Sequence, residues 1–146
     1  MGEKKRMIGY TTGVFDMFHV GHLNIIKRAK EQCDYLIVGV STDELCISYK
    51  GKAPVIPFEE RKSILEAIKY VDKVVAQYDR DKYDAWKKLK FDLLFVGDDW
   101  KDSTFFNSLE EQFSKENVKI VYFPYTPSVS SSKIRERYLK HNNPDN

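Results

Sequence analysis

Short apolar runs alternate along this chain with segments whose apolar residues recur at helical spacing. Five runs predict β-strands, at residues 7–12, 35–40, 74–77, 93–96 and 120–123. The second run is apolar throughout, which is typical of a strand covered on both faces. Such strands belong to parallel sheets, because the helices that connect parallel strands pack on the two faces of the sheet.

The segments between these runs predict helices. In residues 23–32, Leu23, Ile26 and Ala29 recur at three-residue steps. Pro57 suits the first position of a helix, whose apolar stripe would consist of Ile64, Leu65, Ile68 and Val71. Further helices are predicted at residues 83–89 and 105–113, and a last one from Ser130 or Ser131 through Tyr138.

This alternation predicts an α/β fold: a single Rossmann-like domain over residues 1–146, with a five-stranded parallel sheet and helices on both faces. The length of 146 residues fits one domain, and no internal repeat or linker interrupts it. The tail, about residues 141–146, is expected to be frayed. Ligands of such sheets bind beyond the carboxyl ends of the strands.

Composition excludes several classes of protein. The net charge of +2, from 24 basic and 22 acidic residues, leaves no broad electrostatic footprint for nucleic acid. Cys33 and Cys46 form no C-x-x-C pair, so neither a disulfide scaffold nor a zinc site is expected. No apolar run is long enough to cross a membrane or to form a signal peptide. A reducing, cytoplasmic setting is therefore expected.

The most informative segment is Gly-Val-Phe-Asp-Met-Phe-His-Val-Gly-His at residues 13–22. It lies between the first predicted strand and the first predicted helix. Glycine allows close approach of the backbone, and a helix N-terminus offers unpaired N–H groups to an anion. His19 and His22 add donors that can follow charge as it develops in a transition state. The segment therefore predicts a site that binds the phosphates of a nucleoside triphosphate.

Four segments, in the expected order, resemble the cytidylyltransferase branch of the nucleotidyltransferase superfamily. They are H-x-G-H at 19–22, Lys-Gly-Lys at 50–52 followed by P-F-E-E-R at 57–61, V-G-D-D-W at 96–100, and S-S-S-K-I-R at 130–135. The resemblance spans roughly residues 8–138, and the chain is too short for an aminoacyl-tRNA synthetase, another class with H-x-G-H. The G-D-D-W stretch is the more discriminating piece, and it resembles the glycerol-3-phosphate enzymes of teichoic-acid and capsule precursor supply.

The resemblance implies transfer of a cytidylyl group from CTP, accompanied by Mg²⁺, to a small phosphorylated alcohol. The first choice of acceptor is sn-glycerol 3-phosphate, with CDP-glycerol and pyrophosphate as products. A homodimer is implied, without nucleic-acid or membrane partners and without a dedicated metal cage. The implied catalytic residues are His19, His22, Lys50 and Arg61. The implied nucleotide-binding residues are Thr12, Gly13, Phe15, Gly21, Asp98, Asp99, Trp100, Thr126, Ser130, Ser131 and Ser132. Asp16 and Lys133 are expected to support them, Asp16 by bonding backbone N–H groups that hold the loop.

Several of these residues have a second interpretation. The alternative for His19 and His22 is a pair of surface histidines that cap a helix. Lys50 is expected in a mobile loop that closes over the substrates, and its alternative is a solvated lysine. Arg61 either reaches a phosphate with its planar fork or forms a salt bridge with Glu59, Glu60 or the last helix. A carboxylate or backbone carbonyl at Asp98 or Asp99 would accept from the cytosine amine, and the alternative for Asp99 is to fix a turn. Trp100 lines the base pocket or packs against a helix, and the serines at 130–132 bind phosphate or only cap a helix.

One segment departs from the family pattern. Tyr125 stands where these cytidylyltransferases carry an arginine that contacts the nucleotide phosphates, and Pro127-Ser128 replace a Glu-Gly pair. Arg135 or Arg137 are the candidates to replace that arginine. The rival functions are the same chemistry on phosphoethanolamine, phosphocholine or another polyol phosphate, an ATP-using adenylyltransferase, and a nucleotide-binding sensor without catalysis.

Overall fold

The predicted strands form one parallel sheet. The structure is a computed structural model that describes residues 6–97 and 103–124. Its strands are β1 (Ile8–Gly13), β2 (Tyr35–Ser41), β3 (Lys73–Gln77), β4 (Leu93–Gly97) and β5 (Lys119–Phe123). The five strands lie in the order β3-β2-β1-β4-β5, and every pair is parallel. The predicted α/β, Rossmann-like class is confirmed.

The helices of the described residues cover both faces of the sheet. They are α1 (Val20–Glu31), α2 (Asp43–Lys50), α3 (Phe58–Glu66), α4 (Lys82–Leu89) and α5 (Thr104–Ser114). On one face, Ile26 of α1 and Leu65 of α3 pack against Leu36 and Val38 of β2. On the other face, the three buried residues of α5 pack in one cluster with Tyr10 and Leu94. The prediction of helices on both faces is confirmed.

Helix α2 is absent from the predicted elements. Its N-cap is Thr42, whose hydroxyl accepts from the Leu45 N–H at 3.1 Å. Gly51 ends it with φ +78°, a left-handed conformation that suits glycine. Only Leu45 and Cys46 among its eight residues are buried, so no periodic apolar stripe announces it. The placement of Lys50 in a mobile loop is wrong, because Lys50 is the last residue of this helix.

Two predicted helix boundaries also need correction. Helix α1 begins at Val20, three residues earlier than predicted, because its cap is a histidine. Helix α3 has Pro57 as its N-cap rather than at its first position, and it ends at Glu66. The stripe predicted for it breaks up: Ile64 is exposed, while Ile68 and Val71 pack on the core from the connection to β3. The predicted last helix lies outside the described residues.

The strand order fixes where a ligand can bind. From β1 the chain proceeds through β2 to β3 in one direction, and β4 and β5 lie on the other side of β1. The connections therefore separate at the carboxyl ends of β1 and β4, where a crevice opens in folds of this kind. Residues that follow these strand ends are the candidates for the site.

Candidate active site

The loop from β1 into α1 is held in an unusual backbone conformation. Phe15 and Met17 have φ of 55° and 49°, which non-glycine residues seldom adopt. Residues held in this way cost roughly 1–3 kcal/mol each and tend to occur at functional sites. We refer to residues 14–22, which include H-x-G-H, as the histidine loop.

Asp16 ties the histidine loop to a distant segment. One carboxylate oxygen accepts from the Val55 N–H and the other from the Ile56 N–H, both at 2.8 Å. The prediction that Asp16 bonds backbone N–H groups is confirmed, although those groups lie about 40 residues farther along the chain. The connection between α2 and α3 is thereby fixed against the start of α1.

His19 and His22 form the first turn of α1 by a reciprocal cap. The Gly21 N–H donates to His19 Nδ1 at 3.0 Å, and the His19 N–H donates to His22 Nδ1 at 3.3 Å. The two rings are stacked with centroids 3.9 Å apart. Because each Nδ1 is an acceptor, the neutral rings carry their proton on Nε2. Each histidine therefore presents an Nε2–H donor away from the cap.

The surroundings of this pair favour the neutral form of both rings. Burial lowers the pKa of His19. Burial and then the charge of His19 lower the pKa of His22 to about 4, while Asp16 opposes the shift. The rings of Phe15 and Phe18 lie against His22, each with its centroid 5.4 Å away. At neutral pH the pair is therefore an uncharged double donor.

Arg61 lies at the centre of a buried hydrogen-bond network. Its side chain is fully buried and donates to the carbonyls of Val14, Ser41 and Ile56 at 2.7–2.9 Å. It also pairs with Asp43 at 2.6 Å. The salt bridge considered with Glu59 or Glu60 is wrong, since the carboxylate partner is Asp43. The predicted reach to a phosphate does not match this position, where the guanidinium instead joins the histidine loop to the ends of β2 and the loop before α3.

A cavity of about 210 Å³ opens beyond the strand ends, and we call it the strand-end cavity. Thr12 and Gly13 line it from β1. A Cβ at Gly13 would lie 3.1 Å from the Phe15 ring, so this position leaves little room for a side chain. His19 and His22 are not among its described lining residues.

Sequence reasoning missed most of the lining of this cavity. The overlooked polar residues are Ser41 and Gln77 at the ends of β2 and β3, Tyr49 of α2, Arg80, and Lys82 at the start of α4. The rule that ligands bind beyond strand ends would have indicated Ser41 and Gln77. Lys50 is exposed and lies next to Tyr49, with its Nζ 5.6 Å from the Tyr49 ring centroid.

Several predicted site residues lie outside the described residues: Asp98, Asp99, Trp100, Thr126, Ser130, Ser131, Ser132 and Lys133. The departure at Tyr125 lies there as well. Within residues 6–97 and 103–124, no group of three or more His, Cys, Asp or Glu side chains is placed to hold a metal ion. None of the helices in those ranges is both long and apolar enough to span a bilayer.

Known proteins of several activities are similar to this chain. A glycerol-3-phosphate cytidylyltransferase from Bacillus subtilis is 37% identical over 134 residues, which cover 90% of this chain and 95% of the relative. The enzyme of that name from Staphylococcus aureus is 36% identical over 133 residues, covering 90% and 93%. An FAD synthase from Pyrococcus horikoshii is 36% identical over 143 residues, covering 94% and 95%.

Solved structures support the fold, and a family profile assigns the family. A lipopolysaccharide core biosynthesis protein from Thermoplasma volcanium superposes with a TM-score of 0.70 at 24% identity, over 84% of this chain and 98% of that one. This likeness bears on the fold alone. The profile described as Cytidylyltransferase-like matches residues 10–137. The chain therefore belongs to the cytidylyltransferase-like family.

Proposed function

We propose that this enzyme transfers a cytidylyl group from CTP to sn-glycerol 3-phosphate and releases pyrophosphate. The observation that carries the proposal is the stacked histidine pair, whose mutual cap directs two Nε2–H donors away from the start of α1. The three glycerol-3-phosphate cytidylyltransferases that are 36–38% identical and align over 90% of the chain support the choice of nucleotide and acceptor.

The reaction needs positioning more than acid–base chemistry. An oxygen of the acceptor phosphate attacks the α-phosphorus of CTP in line, and the bond from that phosphorus to the β-phosphate oxygen breaks. The electron pair of that bond leaves with pyrophosphate. The attacking oxygen is already anionic, so no general base is required. His19 and His22 would donate to the α-phosphate as negative charge develops, and one such donor contributes about 2.7–4 kcal/mol to barrier lowering.

The remaining site residues have the following proposed roles. Thr12, Gly13, Phe15 and Gly21 shape the backbone that approaches the phosphates. Asp98, Asp99 and Trp100 bind the cytosine, and Thr126 contributes to nucleotide binding. Ser130, Ser131 and Ser132, supported by Lys133, bind the β- and γ-phosphates. Lys50 neutralises phosphate charge. Arg61 is a positioning residue, because its hydrogen bonds hold Val14 and Ser41 rather than face a ligand.

Magnesium and assembly complete the proposal. Mg²⁺ enters as part of the substrate, held by triphosphate oxygens and water, which matches the chemistry this ion prefers. We expect a homodimer, and light scattering after size-exclusion chromatography tests it.

The second candidate is FAD synthesis, in which ATP donates an adenylyl group to FMN. The FAD synthases that are 34–36% identical over 94–96% of the chain favour it. The G-D-D-W stretch at residues 97–100 weighs against it, since this stretch resembles that of the CTP-using enzymes.

The test is pyrophosphate release with Mg²⁺ and each of CTP, ATP and UTP, against glycerol 3-phosphate, phosphoethanolamine, phosphocholine, other polyol phosphates and FMN. We expect turnover with CTP and glycerol 3-phosphate. Turnover with CTP and another acceptor would retain the chemistry and change the acceptor. Turnover with ATP and FMN alone would establish the second candidate. If no pair reacts while CTP still binds in calorimetry, the protein is a nucleotide-binding sensor.

A further inference from the structure

Aromatic rings surround His22 on several sides. Its ring is stacked on that of His19, with centroids 3.9 Å apart and 23° between the planes. The Phe15 ring meets it edge-on at 5.4 Å, and the Phe18 ring lies at the same distance with 37° between the planes. We refer to Phe15, Phe18 and His19 as the aromatic enclosure of His22. Packing of this kind holds a side chain in one orientation.

The two phenylalanines of the enclosure are held by the chain in different ways. Phe15 is buried and belongs to the core cluster on the α1 face of the sheet. Phe18 is half-buried, packs against the outside of that cluster, and directly precedes the cap residue His19. An apolar residue before a helix cap often packs on the first turn of the helix and fixes the entry of the chain. Phe18 is therefore the member of the enclosure that can be changed with less effect on the core.

The enclosure matters because the cap of α1 requires the neutral form of His22. Its Nδ1 accepts the N–H of His19 at 3.3 Å, whereas a protonated imidazole carries a donor on both nitrogens. Protonation of His22 would therefore replace the acceptor of this hydrogen bond with a second donor. The ring would then lose the bond that fixes the direction of its Nε2–H. Apolar neighbours oppose protonation, since desolvation disfavours a charged imidazole.

We propose that Phe18 is a positioning residue for the transfer reaction, in which its ring fixes the plane of His22 and so keeps the Nε2–H of this histidine aimed at the α-phosphate. This inference rests on the proposed function, in which His22 donates to the α-phosphate of CTP. It adds to that site a residue that acts through His22.

The groups that act on the charge of His22 agree with this role. Burial is the largest cause of its low pKa of about 4, ahead of the charge of His19, while Asp16 acts in the opposite direction. Both carboxylate oxygens of Asp16 accept from backbone N–H groups, those of Val55 and Ile56. Desolvation by the surrounding rings, more than repulsion between the two histidines, therefore keeps His22 neutral.

The first test compares the pKa of His22 in Phe18→Ala and in Tyr70→Ala. Tyr70 is a half-buried aromatic residue that packs against the same core cluster, which makes it the matched control. The chain has three histidines, so NMR titration can follow each ring separately. We expect Phe18→Ala to raise the pKa of His22 by about one pH unit, because water reaches the ring, and Tyr70→Ala to leave it unchanged. No rise in Phe18→Ala, or an equal rise in both variants, overturns the proposal.

The second test separates the orientation of His22 from its charge. At pH 8 the ring is neutral in the parent and remains so after a rise of about one pH unit. We expect Phe18→Ala to lower kcat at this pH by about tenfold or more, and Tyr70→Ala to keep it within about twofold of the parent. Phe18→Leu restores most of the apolar volume and should recover part of the loss. Equal kcat values for Phe18→Ala and Tyr70→Ala overturn the positioning role even if the pKa of His22 rises.

The pKa measurement needs no turnover, so this inference and the proposed function can fail separately. Melting temperatures, expected to fall by similar amounts in both alanine variants, show that each protein is folded during the assay. A raised pKa of His22 in Phe18→Ala, in a protein that transfers no cytidylyl group to any acceptor, retains the enclosure and refutes the proposed function. Turnover of CTP and glycerol 3-phosphate, with neither kcat nor the pKa of His22 changed in Phe18→Ala, refutes the inference and leaves the proposed function intact.

Discussion

The histidine loop and the strand-end cavity are assembled from the chain in different ways. The loop is one continuous segment of the chain. Its two histidines hold each other in place through the reciprocal cap, and two residues with positive φ precede them. The described lining of the cavity combines residues from the strands β1, β2, β3 and β4 and from the helices α2, α4 and α5. The comparison teaches that the histidine loop presents neutral donors fixed within one segment, whereas the cavity depends on the strand order to bring its cations beside β1.

Arg61 joins the two regions, so its removal should have the largest effect. Its guanidinium donates to the carbonyl of Val14 in the histidine loop and to that of Ser41, which lines the strand-end cavity. It also forms an ion pair with Asp43. Arg61→Met removes the charge partner of that carboxylate and the donor to three carbonyls, so we expect a loss of about 3–5 kcal/mol in the free energy of unfolding. Urea denaturation measures the loss, with Arg28→Met on the exposed face of α1 as the control.

Activity per folded molecule adds a second measurement to Arg61→Met. If both regions depend on this residue, the KM values for CTP and for the acceptor should rise together. A variant that unfolds at the urea concentration of the parent would show that the network adds nothing to stability.

The next largest effect should come from the histidine pair. His19→Asn keeps a side chain that caps α1 well, but it removes the Nε2–H donor. We expect kcat to fall by about 10²–10³, with the melting temperature within a few degrees of the parent. His22→Gln and His22→Asn extend the test, since Gln better reaches the position of Nε2 and Asn that of Nδ1. A kcat within tenfold of the parent in every variant would contradict the assigned role.

The sequence was sufficient for the local part of this comparison. Its alternation of apolar runs predicted all five strands and their parallel arrangement, and the H-x-G-H segment marked the histidine loop. It was insufficient for the cavity, because Arg80 and Lys82 have no motif and meet Thr12 only through the strand order. Helix α2 escaped prediction because capping, and not periodicity, defines it. The role of Arg61 could not be predicted, because the sequence alone does not show whether an arginine is buried or exposed.

Asp16 tests how the histidine loop is held in place, with a smaller expected effect. Asp16→Asn keeps the size of the side chain but leaves one acceptor oxygen for the two N–H groups of Val55 and Ile56. We expect about 1–3 kcal/mol less stability and a kcat reduced by less than in His19→Asn. Urea denaturation and steady-state kinetics check both, with Asp34→Asn as a comparison at an exposed carboxylate that bonds a single residue's N–H, that of Met7. An Asp16→Asn loss no larger than the Asp34→Asn loss would mean that the strained loop holds without this clamp.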